Sequence, residues 1–189
     1  MDIEKLSKCG ILRTYEKGRF ICIEGHDGET AFLVLKGEVK VTIGTFGDKA
    51  REVAVICPGS FFGEMSMLEN QPRSATVVAE SDEVVVLEID KDDFIKLVKT
   101  DPELAYGLLR TLYSRIEDTM NNGARHLVAY NAEIRRNNYY IEMGALTLQQ
   151  FVVIVAQQED YVLKLLRYLS HTLAELNREL MRRVNISRQ

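Results

Sequence analysis

The 189-residue chain has few of the features that mark secreted, metal-binding or membrane proteins. Its three cysteines, Cys9, Cys22 and Cys57, form no CxxC pair and stand at no zinc-ligand spacing, so we interpret them as reduced thiols. The N-terminus lacks the basic start and apolar stretch of a signal peptide. The longest apolar run, Phe151 to Ala156, is far shorter than the roughly 20 residues that span a bilayer. These absences predict a soluble, cytoplasmic protein with no role in a membrane.

An excess of positive charge is also missing. The formal net charge of −4 disfavours a protein that coats nucleic acid, which needs a basic face. The last thirty residues are net basic, and we interpret them as a solvated helix face with cations near its C-terminus. The basic residues of this stretch are Lys164, Arg167, Arg178, Arg182, Arg183 and Arg188.

Catalytic and metal-binding patterns are absent from the sequence as well. There is no Gly-x-Ser-x-Gly, no P-loop and no Cys/His nucleophile pattern, which predicts a protein that is not an enzyme. The histidines His26, His126 and His171 are scattered and have no carboxylate at matching spacing, so we expect no metal site.

What the sequence does contain, up to about Asp90, is a series of short apolar or alternating runs separated by Gly, Asp and Pro. About eight such runs in some eighty residues are typical of a β-sandwich or small barrel. We therefore predict an α+β protein, a jelly-roll barrel (double-stranded β-helix) followed by long helices. The clearest predicted strands are Phe20 to Ile23, Ala31 to Leu35, Glu38 to Ile43, Val53 to Ile56, Ala75 to Ala79 and Glu83 to Ile89.

After Asp90 the apolar period becomes helical. A short helix is predicted over Asp92 to Lys99, and Asp101-Pro102 opens a longer one with an N-cap and a first-position proline. In each of two helical stretches, apolar residues follow one another at alternating intervals of four and three positions, and we call each such row a seam. This spacing is typical of helices that pack against the same helix of a second chain, and it predicts a homodimer. The seams are Ala105, Leu109, Leu112, Ile116 and Thr119, and then Val162, Leu166, Leu169, Leu173, Leu176 and Leu180.

A weak internal repeat accompanies these seams. With an offset of 57, the identical positions are Phe94/Phe151, Val98/Val155, Leu108/Leu165, Leu109/Leu166, Arg110/Arg167 and Leu112/Leu169. Two readings stay open: a true duplication of the helical part, or two amphipathic helices that both need leucine at core spacing.

The stretch most informative about function is residues 61–76, called the cassette below. Gly63 allows the backbone to approach a ligand, and the N–H groups of the helical turn after it favour a phosphate. Arg73 adds a cationic fork for phosphate oxygens, and Ser74 adds a hydrogen bond. Glu64 repels a phosphate but accepts well from hydroxyl groups. Phosphate and hydroxyl on one small molecule indicate a nucleotide or a sugar phosphate.

The run Phe62-Gly63-Glu64 followed by Pro72 to Thr76 closely resembles the phosphate-binding cassette of cyclic nucleotide-binding domains of the catabolite activator and cyclic-nucleotide-dependent kinase type. The similarity covers about residues 5–125. It implies that Glu64 holds the ribose 2′-hydroxyl and that Arg73 pairs with the cyclic phosphate. Ser74 and the backbone of Ser66 and Ala75 would complete the cradle. The implied ligand-binding residues are Gly63, Glu64, Met65, Ser66, Arg73, Ser74 and Ala75, with Arg115, Ile116 and Thr119 near the base.

The resemblance also leads us to predict residues 1–122 as a cyclic nucleotide-binding domain with its long helix, and 123–189 as a helical tail for dimerisation or an unidentified protein partner. No helix-turn-helix with a following hairpin is visible after His126, so direct DNA binding is not expected. We expect a non-enzymatic sensor of cAMP, in preference to cGMP. The alternatives are an interaction protein whose cassette binds no nucleotide, and a DNA-associated regulator.

Overall fold

The computed structural model describes residues 9–44, 50–122, 134–135, 144–158 and 161–186. The sequence also predicts a short helix over Asp2 to Cys9, stopped by Gly10, and this segment lies outside the described residues apart from Cys9. The chain divides into two compact units, Met1–Leu97 and Val98–Gln189.

The first unit is built on two four-stranded antiparallel sheets. One sheet has the strand order β1-β8-β3-β6 and the other has the order β2-β7-β4-β5. Because strands that are distant in sequence lie side by side in each sheet, the architecture is a jelly roll. The strands are β1 Ile11–Glu16, β2 Phe20–Cys22, β3 Thr30–Lys36, β4 Val39–Ile43, β5 Arg51–Ile56, β6 Phe61–Phe62, β7 Thr76–Ala79 and β8 Glu83–Asp90.

The core of this unit lies between the sheets and consists mostly of valine and phenylalanine. Val84 and Val86, two residues apart on β8, point to the same side of the strand and are fully buried in this core. Phe32 on β3 stacks on Phe62 of β6, with ring centroids 5.0 Å apart. These inward faces explain the short apolar runs of the sequence, since a β-branched or aromatic side chain packs well on a pleated surface.

Strand β1 was not among the clearest predicted strands. Its six residues are almost all exposed, and Ile11 and Leu12 are 58% and 57% exposed. The segment therefore has no alternation of apolar and polar residues. What fixes it as a strand is its continuous antiparallel pairing with β8, and a partner about seventy residues away leaves no local signal.

A short helix, α1 (Glu64–Glu69), interrupts the strands inside the cassette. Helix α2 (Lys91–Thr100) follows β8, and Asp90 accepts a hydrogen bond from the Asp93 amide at 2.9 Å at its start. Helix α3 (Pro102–Asn122) begins as predicted, with the Asp101 carboxylate accepting from the Leu104 amide at 3.1 Å. The Asp90 cap accounts for the sharp change from strand to helix at that residue, and the Asp101 cap fixes the start of α3.

The second unit is helical in its described residues. Helix α4 (Leu148–Gln157) opens with a capping box between Thr147 and Gln150, and α5 (Tyr161–Ile186) is a long continuous helix. Helix α3 packs along α5 and also against α4. Tyr106 on α3 donates a hydrogen bond to the Leu146 carbonyl at 2.7 Å, and its ring lies 5.5 Å from that of Phe151.

In the part of the two predicted seams whose side chains the structure describes, every residue except the half-buried Thr119 is buried within one chain. On α3 the seam residues Leu109, Leu112 and Ile116 have no exposed surface, and on α5 neither do Leu166 and Leu169. Since these helices pack along each other, each seam has an apolar partner without a second copy. The predicted fold class, a jelly roll followed by long helices, is confirmed.

Candidate functional site

The cassette occupies the junction between β6 and β7, where α1 and a polar loop join the two sheets. Gly63 begins α1 with a φ of +76°, a left-handed conformation that favours glycine. A Cβ on Gly63 would lie 2.6 Å from Nη1 of Arg73 and 3.2 Å from the Thr30 carbonyl oxygen. Glycine is therefore required here both by conformation and by the close approach of Arg73.

Arg73 is the most constrained side chain of the cassette. It is only 7% exposed, and its guanidinium carbon lies 5.5 Å from the centroid of the Phe32 ring. Its Nη1 donates to the carbonyl oxygens of Gly63 (2.7 Å) and Thr30 (2.8 Å) and to Oγ of Ser66 (2.9 Å), while Nη2 donates to Oγ1 of Thr30 (3.1 Å). These protein groups thus hold the guanidinium in one orientation.

The loop between β2 and β3 fixes the backbone of Arg73 as well. The Arg73 amide donates to the His26 carbonyl at 2.8 Å, and the Gly25 amide donates to the Arg73 carbonyl at 2.9 Å. Gly28 of the same loop lies against the guanidinium so closely that an added Cβ would be 2.0 Å from Nε. Gly28 and Thr30 therefore shape the surroundings of Arg73, although nothing in the local sequence around them indicates it.

Glu64 and Ser66 lie on α1 and are both buried, with Glu64 only 1% exposed. The Ser66 hydroxyl donates to the Gly63 carbonyl at 3.1 Å while it accepts from Arg73. Burying a carboxylate and a guanidinium in the same cassette is costly unless each is paired in the fold or binds a ligand. The cassette therefore combines a fixed cation and a buried anion.

The remaining predicted cassette residues border this pair. Ser74 is exposed, whereas Met65 and Ala75 are half-buried. The structure thus brings Gly63, Glu64, Ser66 and Arg73 together and leaves the Ser74 hydroxyl open to solvent.

The predicted base-proximal residues belong to the helical unit. Ile116 has no exposed surface, while Arg115 and Thr119 are half-buried. The Thr119 hydroxyl donates to the Arg115 carbonyl at 2.8 Å, one turn earlier in α3. A direct contact of Ile116 with a ligand would require its present packing to change.

A pocket of about 440 Å³ lies between the β2–β3 loop and α1. Gly28 and Ser66, which both touch Arg73, form part of its wall, and Asp27, Glu29 and Lys91 also line it. The two carboxylates disfavour an anionic phosphate at this position. We therefore do not assign this pocket to the phosphate-bearing end of a nucleotide.

The thiol of Cys22 reports on the electrostatics of the same region. Burial raises its pKa to about 11, while Arg73 lowers it and Glu64 raises it. Because an unfolded thiol ionises near 9.0, the folded state binds the proton more tightly than the unfolded state between pH 9 and pH 11. The stabilisation present below pH 9 is therefore lost as the pH rises through this window.

We expect the free energy of unfolding of the wild type to fall, relative to that of Cys22→Ala, by on the order of 2 kcal/mol between pH 9 and pH 11. Urea unfolding of both proteins across this range measures the difference. A constant difference between wild type and variant would contradict the raised pKa.

Within the described ranges no cluster of three or more His, Cys, Asp or Glu side chains could hold a metal ion. None of the described helices is long and apolar enough to cross a bilayer.

Comparison with known proteins agrees with this site. Residues 12–101 match the model of the cyclic nucleotide-binding domain. The chain is 37% identical to human cGMP-dependent protein kinase 2 over 103 residues. These aligned residues make up 54% of this chain and 14% of the kinase. It is 33% identical to the cyclic AMP receptor protein of Thermus thermophilus over 106 residues. These residues make up 56% of this chain and 49% of that protein.

Solved structures give the same picture. The cAMP-bound PfPKA-R fragment (141–441) has a TM-score of 0.52 and 26% identity, over 65% of this chain and 41% of that chain. The catabolite activator protein of Thermus thermophilus has a TM-score of 0.56 at 22% identity, over 88% of this chain and 93% of that chain, a likeness of fold. Residues 12–101 are therefore similar to the cyclic nucleotide-binding domain, and this match covers slightly less than half of the chain. The match spans half or less of each curated relative named here.

Proposed function

We propose that this chain is a non-enzymatic sensor of a cyclic nucleotide, with cAMP preferred over cGMP. The observation that carries the proposal is that Glu64 and Arg73 are each buried in the cassette, with the guanidinium oriented by Thr30, Gly63 and Ser66. Arg73 would bind the cyclic phosphate, and Glu64 would accept from the ribose 2′-hydroxyl. Met65, Ser74 and Ala75 would line the ligand beside them.

The preference for cAMP is supported by two of the relatives. The Thermus protein is a cyclic AMP receptor, and the PfPKA-R fragment holds cAMP. The cGMP-dependent kinase is the counter-example.

Calorimetric titration of cAMP and of cGMP into the full chain tests the proposal. Micromolar binding of cAMP, with weaker binding of cGMP, is the expected result, while heat from neither nucleotide would favour the alternative in which the cassette binds no ligand.

We further propose that ligand binding is reported through the long helices. In function we count α3 with the nucleotide-binding domain (residues 1–122) and treat 123–189 as the helical tail, with Arg115, Ile116 and Thr119 as the residues that respond to the base. A ligand can shift a helix position only by its difference in affinity for the two states. Hydrogen exchange of α3 with and without cAMP measures this response.

The proposed output is contact with a protein partner in the cytoplasm, and not with DNA. On α5, Arg178 pairs with Glu175 and Arg182 with Glu179, each one turn apart. Such pairs are typical of a solvated helix face. A homodimer through the long helices stays a prediction, and it would require α3 to offer a seam that α5 already covers.

Thr30 is the residue around Arg73 best suited to a test that keeps the charge in place. In Thr30→Val the side chain keeps its shape but Nη2 of Arg73 loses its acceptor. We expect the affinity for cAMP to fall by roughly fivefold, about 1 kcal/mol, because the guanidinium is less well positioned. Thr30→Ser, which keeps the hydroxyl, should restore most of it. Titration of the three proteins decides the point, and equal affinities would show that the hydroxyl has no positioning role.

A further inference from the structure

The two seams of the helical region lie at one constant offset. The α3 seam positions 105, 109, 112, 116 and 119 correspond to the α5 positions 162, 166, 169, 173 and 176 when 57 is added. Four of these five pairs are buried at both positions in the structure; at the fifth, Leu176 is buried and Thr119 is half-buried. Two amphipathic helices can both have leucine at core spacing by chance. Chance less readily explains why one offset of 57 residues relates all five seam positions.

The helices themselves repeat at the same offset. Helix α2 spans Lys91–Thr100 and α4 spans Leu148–Gln157, ten residues each, with both ends displaced by 57. Phe94 in α2 and Phe151 in α4 are each fully buried at the corresponding position. Asp101 alone separates α2 from the long helix α3, and α4 is followed by the long helix α5 from Tyr161 onward. A short helix, a break and a long seamed helix thus occur twice in the chain.

The second long helix covers the seam of the first. Helix α5 packs along α3, and every α3 seam residue except the half-buried Thr119 has no exposed surface in a single chain. A second copy could reach this seam only after α5 had left it, which would expose leucines on both helices to water.

One buried position of α5, that of Thr172, suits the residue found there better than it would suit the α3 residue at the same place in the repeat. Ser170 and Thr172 are buried in α5, and the Thr172 hydroxyl is satisfied by the Tyr168 carbonyl at 2.8 Å. At the corresponding α3 positions stand Tyr113 and Arg115. An arginine placed where Thr172 lies would bury a charge, which is strongly unfavourable without a partner.

From these observations we propose that α4–α5 is an internal copy of α2–α3, and that α5 occupies against α3 the place that the long helix of a second chain would take in a dimer. The seam is then an intramolecular interface. The two copies have diverged in sequence, so that α5 packs on the α3 seam better than a second α3 would.

The dependence of unfolding on chain concentration tests this proposal in the full chain. We expect the thermal midpoint of the helical signal, followed by far-ultraviolet circular dichroism, to be constant across a roughly hundredfold range of concentration. Leu169→Ala should lower that midpoint by roughly 5–10 °C, because Leu169 is buried in the seam. The control Arg167→Ala changes an exposed residue of the same helix and should leave the midpoint unchanged.

A midpoint that rises with concentration, together with a mass of two chains that falls to one in Leu169→Ala, would overturn the proposal. So would an unchanged midpoint in Leu169→Ala. Because Leu169→Ala could perturb folding in general, Leu112→Ala and the double variant complete a cycle. If the thermal midpoint falls less in the double variant than the sum of its falls in the two single variants, the two seams are in contact. Strictly additive falls at every concentration oppose such contact.

Discussion

Replacing Arg73 with alanine is expected to weaken binding of cAMP by at least roughly 100-fold, because charge-assisted hydrogen bonds to the phosphate are lost from a buried site. The loss of the guanidinium also removes the donor shared by the Gly63 and Thr30 carbonyls. We therefore expect the variant to be less stable by about 1–3 kcal/mol as well, while it remains folded.

Two further variants separate charge from geometry in this experiment. Arg73→Lys keeps the cation but loses the planar fork, so we expect affinity between those of the wild type and Arg73→Ala. Arg51→Ala removes an exposed arginine from β5 and serves as the matched control, with affinity unchanged. Titration calorimetry gives the affinities and thermal unfolding gives the stabilities. Wild-type affinity in Arg73→Ala would rule out this arginine as the phosphate ligand.

The second large effect is expected at Glu64. In Glu64→Gln the side chain keeps its size but loses the charge that accepts strongly from a hydroxyl group. We expect the affinity for cAMP to fall by roughly 10- to 100-fold, since a hydrogen bond to a charged group is worth about 1.5–3 kcal/mol.

A ligand without the 2′-hydroxyl makes this prediction specific. Wild type and Glu64→Gln should bind 2′-deoxy-cAMP with similar, weak affinity, because the group that Glu64 recognises is missing from the ligand. The cycle of two proteins and two ligands isolates this interaction. If the variant weakened both ligands equally, Glu64 would act on the fold of the cassette and not on the ribose.

The sequence contained most of this site, because the cassette residues are local. Gly63, Glu64, Ser66 and Arg73 fall within eleven positions, and their residue types indicate a phosphate and a hydroxyl without reference to the rest of the fold. From β2 onward, every strand except the two-residue β6 was predicted for a similar reason, since each of these runs is bounded by a turn and has an apolar face.

What the sequence could not supply depends on contacts between distant segments. Thr30 and Gly28 act on Arg73 across more than forty residues, and no local pattern marks a threonine at the start of a strand as a partner for an arginine. Strand β1 was missed because it is exposed and defined by β8. The seams were recognised as pairing surfaces, but periodicity does not say whether the pairing helix belongs to the same chain.

The long sequence separation between Arg73 and its supports bears on how the protein folds. The backbone bonds from Arg73 to residues 25 and 26, and the side-chain bonds to Thr30, all close loops of more than forty residues. Contacts of such high sequence separation form slowly, because the entropy of loop closure is lost before they are made. In refolding experiments the capacity to bind nucleotide should therefore appear with the last tertiary contacts and lag behind the helical signal. Nucleotide present during refolding would then trap chains that have already closed the sandwich, and would leave the early steps of folding unaltered.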